Sequence, residues 1–225
     1  MRLIQILLRP FFYLLYHQFA WTYDLVAAVV SLGRWKEWVG TALPYLSGNV
    51  LEIGFGPGHL QASLIEKNIA TFGLDESAQM VRQATKRLQK KGASDHLIRG
   101  YAQSIPFKGE SFNSVVATFP AEYIFEPQTL NEIRRVLIPG GQLVIIPTAW
   151  ITGGGPLERL AAWVFRVSGE APGNPNLMAA AIKARFVNAG FMTSSEIVEK
   201  RGSQVLVIVA KKTSTAGNTS PAMTG

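Results

Sequence analysis

The sequence predicts an α/β protein. Its expected core is an open, mostly parallel sheet with helices on both faces, closed at the C-terminal end by an antiparallel hairpin and preceded by a helical cap. Three observations carry this. Between about residues 49 and 147, apolar runs of strand length alternate with amphipathic runs of helix length. The stretch Val50-Leu-Glu-Ile-Gly-Phe-Gly-Pro-Gly-His59 joins the first such strand to its helix with three glycines at alternate positions. Two further apolar runs then face each other across Lys200-Arg-Gly-Ser203, the spacing of a hairpin.

The elements follow in order. Residues 1–16 are apolar but interrupted by Arg2, Arg9 and Pro10. The uncharged run is too short for a bilayer, which needs about 20 apolar residues. No small-residue cleavage site follows it, so a signal peptide fits poorly. The segment suits either a cationic amphipathic stretch on an anionic membrane surface or a helix capping the core. Residues 19–46 read as helices, with Trp21, Leu25 and Val29, then Trp35, Trp38 and Val39, spaced for one face and Gly33 as a break. Strands are expected at 50–53, 71–74, 97–100, 114–118 and 143–146. Between them come helices at 59–67, from a Ser77 cap to about 91, and at 128–137, with a turn at Pro139-Gly-Gly141. Beyond Pro147, helices are expected at 156–167 and 177–189 and hairpin strands at 193–199 and 204–210. The domain reading is therefore a helical cap over 1–46 and a main domain over 47–212 with an insertion near 150–176. A disordered Ser/Thr/Gly/Ala/Pro-rich tail is expected over 213–225.

Composition narrows the chemistry. The 225 residues contain no cysteine, which removes disulfides, thiolate metal sites and cysteine nucleophiles. The formal charge is +7, from 22 Lys and Arg against 15 Asp and Glu. Arg82, Lys86, Arg87, Lys90 and Lys91 cluster on one predicted helix and read as a solvated face. No aromatic platforms lie among them, which disfavours nucleic acid. His17, His59 and His96 have no metal-ligand spacing.

In an open α/β sheet, ligands bind beyond the carboxyl ends of the strands, where Gly54, Gly56 and Gly58 fall. Glycine lets a ligand touch the main chain. The spacing is not that of a dinucleotide fingerprint, since His59 stands where the third glycine belongs, and no triphosphate loop follows. Glu52, two residues before the first glycine, suits a ligand with an amino group or a sulfonium. Asp75, ending the second strand, suits a ribose diol. A nucleoside with a cationic amino-acid arm meets both demands, and S-adenosyl-L-methionine is such a molecule, with S-adenosyl-L-homocysteine as its product.

At this point the chain resembles the class I S-adenosylmethionine-dependent methyltransferases, of the type 11 group with a Rossmann-like sheet. Glu52-Ile-Gly-Phe-Gly-Pro-Gly58, Gly73-Leu-Asp75, Ala102-Gln-Ser-Ile-Pro-Phe107, Phe112-Asn-Ser-Val-Val-Ala-Thr-Phe119 and Arg135-Val-Leu-Ile-Pro-Gly-Gly141 look like successive family motifs. Tyr23-Asp24, Ser31, Gly33 and Trp38 are similar to the N-terminal helices of quinone-biosynthesis C-methyltransferases. The resemblance implies cofactor contacts from Tyr23, Glu52, Gly54, Gly56, Gly58, Asp75, Glu76, Ala102, Gln103 and Phe119. Tyr23, Trp35 and Trp38 are equally readable as packing residues. The chain departs from the pattern at Tyr101, where an acid is common and where stacking or packing would replace a hydrogen bond to adenine. It departs again at Asn113, where strand four usually starts with an acid. Thr118-Phe-Pro-Ala-Glu-Tyr123 lacks the amide or acid that holds a target amine, which disfavours base or glutamine methylation.

Tyr123, Glu122 and His17 are the candidates for the chemistry itself, with Pro120 and Trp150 nearby. The implied function is methyl transfer to a small hydrophobic acceptor, a quinone precursor or lipid, by a cytoplasmic enzyme that meets the inner face of the membrane through residues 1–16. Methylation of a small polar metabolite, or a non-catalytic membrane-associated protein retaining the cofactor fold, are the alternatives.

Overall fold

The computed structural model describes residues 31, 33–90, 96–156 and 174–213. His17, Tyr23, the expected membrane segment, the tail and most of the expected insertion lie outside them.

Helix α1 (Trp35–Gly40) and a single 3-10 turn (Leu43–Tyr45) precede strand β1 (Val50–Ile53). There follow α2 (His59–Glu66), β2 (Thr71–Asp75), α3 (Ala78–Gln89), β3 (Leu97–Arg99), β4 (Phe112–Thr118), a second 3-10 turn (Glu122–Phe125), α4 (Pro127–Val136), β5 (Leu137–Ile151), α5 (Pro175–Asn188), β6 (Phe191–Lys200) and β7 (Ser203–Lys212). The seven strands form one sheet in the order β3-β2-β1-β4-β5-β7-β6. Strands β1 to β5 pair in parallel, and β7 is antiparallel to both β5 and β6. The predicted fold class is the one observed.

Alternation along each central strand sends side chains to two cores. Leu51, Ile53, Val115, Ala117, Leu143 and Ile145 meet Leu130, Ile133 and Val136 of α4 and Ile182 and Phe186 of α5. Val50, Val116, Val144 and Ile146 meet Trp38 and Val39 of α1 and Leu60 and Leu64 of α2 on the opposite face. A strand covered on both sides needs a continuous apolar run, as Val205-Leu-Val-Ile208 in β7 shows.

Two expectations change. Strand β5 is much longer than 143–146: it pairs Phe112 with Leu137, slips past Pro139-Gly-Gly141 as a bulge, and resumes at Gln142 opposite Ser114. The expected turn is therefore an interruption within a strand. Asn113 lies at the amino end of β4, where its side-chain oxygen accepts from the Asn49 amide at 2.9 Å. It is thus remote from the carboxyl ends of the strands, and its departure from the family acid bears on a loop contact.

The two ends of the described chain are joined directly. The indole N–H of Trp38 donates to Ser203 Oγ at 2.9 Å in a buried contact. Beside it, the Gly202 carbonyl accepts from Arg34 Nη1 at 3.1 Å and from the Thr152 and Gly153 amides at 3.0 and 3.2 Å. Replacing Trp38 by Phe strands a buried hydroxyl and is expected to lower stability by about 1–3 kcal/mol. A denaturant-unfolding cycle with Ser203→Ala checks it, since the double variant should cost less than the sum of the singles.

Candidate cofactor and acceptor site

The loop after β1 is built by three glycines with three different duties. All have positive φ, at 70° for Gly54, 52° for Gly56 and 79° for Gly58. A Cβ on Gly54 would stand 2.5 Å from the Tyr123 hydroxyl, so that hydroxyl rests on the bare main chain. A Cβ on Gly58 would meet Ala84 Cβ of α3 at 2.9 Å, so this glycine permits close packing as well as starting α2. A Cβ on Gly56 would meet nothing within 4 Å, which leaves the loop's middle open to a ligand.

Two carboxyl groups flank the loop. Asp75 ends β2 and is 8% exposed. Its Oδ2 accepts from the Gly56 amide and its Oδ1 from the Ser77 amide, each at 2.9 Å. Burial raises its pKa, and the two amides hold the rise down. Glu52 lies under the loop with 1% exposure. Its Oε2 accepts from Gln61 Nε2 at 2.9 Å. Burial pushes its pKa up to about 8, the Gln61 hydrogen bond opposes this, and the charge on Asp75 adds to it. Tyr123 faces the same space. Its pKa is raised first by burial and then by the Asp75, Glu76 and Glu52 carboxylates, so its hydroxyl stays protonated.

The remaining predicted residues are distributed around this centre. Glu76 follows Asp75 and is exposed. Ala102 is buried against the core, and Gln103 Nε2 donates to Glu126 Oε2 at 2.8 Å. The Gly100 amide donates to the Asp75 carbonyl at 3.0 Å, which brings the 101–104 turn beside Asp75. Tyr101 is 60% exposed and so is not packed into the core. Phe119 leaves β4 with φ of 49°, an unfavourable conformation for an aromatic residue, and such strain concentrates at working sites. Its ring lies 4.5 Å from that of Trp35 and 6.1 Å from that of Trp38. Trp35 and Trp38 thus pack, and they do so against the exit of β4. Glu122 is exposed on its 3-10 turn, and no described contact draws it to the loop. His59 opens α2, and His96 is exposed with its ring 4.6 Å from that of Phe72.

Sequence reasoning missed several supports. Gln61 bridges Glu52, the Phe72 carbonyl and Thr71. Its signal was a polar residue amid the apolar face of α2. Arg87, assigned to a solvated face, instead donates to the Pro57 carbonyl and so braces the glycine loop. Glu132 and Arg135, one turn apart on α4, pair at 2.7 Å. Glu132 accepts from the Ile105 amide at 2.8 Å, and Arg135 donates to the Ile105 and Phe107 carbonyls, each at 2.8 Å. The segment expected along the adenine is therefore clamped by side chains that the motif itself does not contain.

A family model for the methyltransferase domain matches residues 51–145. That stretch is thus similar in sequence to a methyltransferase domain, and the sheet that carries it is Rossmann-like. The chain is 31% identical over 141 residues to a ubiquinone/menaquinone biosynthesis C-methyltransferase of Blochmanniella floridana, covering 58% of this chain and 56% of that protein. It is 33% identical over 102 residues to a phosphatidylethanolamine N-methyltransferase of Cereibacter sphaeroides, covering 44% and 50%. The chain thus spans little more than half the length of the curated relatives it matches. A crystal structure of a SAM-dependent methyltransferase from Aquifex aeolicus has the same fold, with a TM-score of 0.56 and 18% identity over 81% of this chain and 96% of that one. Among the described residues, no group of three or more His, Cys, Asp or Glu could hold a metal ion, and no helix is long and apolar enough to cross a membrane.

Two outcomes are expected. Gly54→Ala adds left-handed strain of roughly 1–2 kcal/mol and collides with Tyr123, so cofactor-analogue binding measured by calorimetry should be lost. Glu52→Gln should change how stability depends on pH. The folded protein keeps a proton on Glu52 up to about pH 8, whereas an ordinary glutamate loses it near 4.5. The native chain therefore loses stability as pH rises from 4.5 to 8. Thermal unfolding at pH 5 and pH 8.5 should show that fall diminished in the variant.

Proposed function

We propose that this protein is an S-adenosylmethionine-dependent methyltransferase that modifies a small hydrophobic acceptor of the quinone-precursor or lipid type. The observation that carries the cofactor part is the loop itself: an open face at Gly56, with buried acids at Glu52 and Asp75 on either side. These residues fit the cofactor's demands. Asp75 is available to the ribose hydroxyls through the lone pairs its two amides leave over, and Glu52 sits where an ammonium needs a counter-charge. The 101–104 turn, with Ala102 and Gln103 and beside Glu76, is assigned to the adenine.

The bound cofactor supplies a methyl group on a positively charged sulfur that leaves as a neutral thioether. The protein's task is then alignment, which can supply up to about 7–11 kcal/mol. Tyr123 is assigned to orientation: its hydroxyl can give or take a hydrogen bond at the loop, and its raised pKa keeps it from serving as a base. Glu122 and His17 remain the proposed bases for an acceptor that still holds its proton. The acceptor is assigned to the β4 exit, where Phe119, Trp35 and Trp38 offer flat apolar surface. Both relatives carry names for lipid-soluble acceptors, which supports this choice over a polar metabolite. Contact of residues 1–16 with an anionic membrane, and a site of action at the inner face of the cytoplasmic membrane, belong to the same reading.

The test is release of S-adenosylhomocysteine with a panel of prenylated hydroquinones, phospholipids and polar metabolites. Turnover is expected with the first or second group and not the third. Asp75→Ala should weaken cofactor binding roughly 10- to 100-fold, the range for hydrogen bonds to a charged group. Turnover confined to polar metabolites would overturn the acceptor assignment.

A further inference from the structure

Gln61 is buried in the middle of α2 and has all its amide hydrogen-bonding groups engaged. Its Nε2 reaches both Glu52 Oε2 at 2.9 Å and the Phe72 carbonyl at 3.2 Å, while its Oε1 accepts from Thr71 Oγ1 at 3.0 Å. A carbonyl oxygen can only accept, so the nitrogen of Gln61 has to face Phe72. Thr71 supplies a hydroxyl that rotates to donate to the opposite end. The amide cannot turn over without setting oxygen against oxygen. Glu52 Oε2 is thereby fixed as an acceptor, and the Gln61 main-chain N–H holds the same carboxyl from the backbone of α2.

We infer that Gln61 is a positioning residue that holds the Glu52 carboxyl for the cofactor's amino-acid arm, and that the cofactor's ammonium displaces a proton from that carboxyl on binding. The inference rests on the methyltransferase reading and adds a coupling between ligand binding and pH. The groups facing Glu52 agree with it. From the end of β2 comes the negative charge of Asp75, and across the loop stands the protonated Tyr123. On α2 itself His59 stands two residues before Gln61, and from α3 Arg87 is bonded to the Pro57 carbonyl. Glu52 is 1% exposed and so sheds its proton with difficulty until a cation arrives. With a pKa pushed up to about 8, the free protein holds most of a proton there at pH 7. Binding should therefore release close to one proton. Affinity should rise by up to about tenfold per pH unit towards pH 8 and then level off.

The experiment is titration calorimetry of the full chain with S-adenosylhomocysteine at pH 7 in buffers of different ionisation enthalpy. It is repeated with 5′-methylthioadenosine, which lacks the amino-acid arm. The expected result is release of about one proton with the first ligand and none with the second, and none with either ligand in Glu52→Gln. Gln61→Met should shift the pH at which affinity levels off upwards, because the hydrogen bond that stabilises the ionised carboxyl is gone. A merely structural glutamine would change affinity equally at every pH. Thr71→Val, which unlocks the amide while keeping its bulk, should shift the profile in the same direction if Gln61→Met does not fold. Binding of S-adenosylhomocysteine without proton release, or equal release with methylthioadenosine, overturns the inference and leaves the methyltransferase reading intact. Absence of binding by either ligand at any pH overturns both.

Discussion

The Asp75 carboxylate holds the site together. One oxygen takes the Gly56 amide from the loop after β1, and the other takes the Ser77 amide at the threshold of α3. Its carbonyl meanwhile takes the Gly100 amide at the end of β3. A single residue thus fixes three chain segments that meet at the carboxyl ends of neighbouring strands. The balance is close: burial works against its charge, and two main-chain donors work for it. The glycine loop can then adopt left-handed backbone at Gly54, Gly56 and Gly58 without becoming slack. Arg87 grips it from the far side through Pro57.

This arrangement puts three acidic groups, Glu52, Asp75 and Glu76, about one tyrosine hydroxyl in a protein whose formal charge is +7. The charges of Asp75 and Glu76 beside the loop favour a cationic ligand there over a phosphate. Glycine spacing alone does not say this.

Much of the fold was legible because its strands are covered on both faces and so read as short apolar runs. Val50–Ile53 is such a case, apart from Glu52, and its limits were found to the residue. The placement of β7 inside β6 was harder to read. A hairpin looks the same from sequence whichever strand lies inward, and the clue was that Val205-Leu-Val-Ile208 is apolar throughout while β6 carries Thr193-Ser-Ser-Glu196 in its middle. The long reach of β5 was hidden by Pro139-Gly-Gly141, which reads as a turn and is a bulge. At the site, glycines and acids announce themselves by spacing. Their supports do not: Gln61, Arg87, Glu132 and Arg135 act across tertiary distances, and only an odd polar residue on an apolar face hinted at the first.

The Trp38–Ser203 contact has a consequence for how the chain is made. The partners are 165 residues apart. At roughly 5–20 residues per second, a ribosome needs on the order of 10–30 s to deliver the hydroxyl after the indole has emerged. Through that interval the aromatic side of α1 has the strands of a half-built sheet beneath it and no β7 to complete the surface. Trp38 and Val39 share their core with Val205 and Val207, so this side of the sheet closes only when the final hairpin arrives.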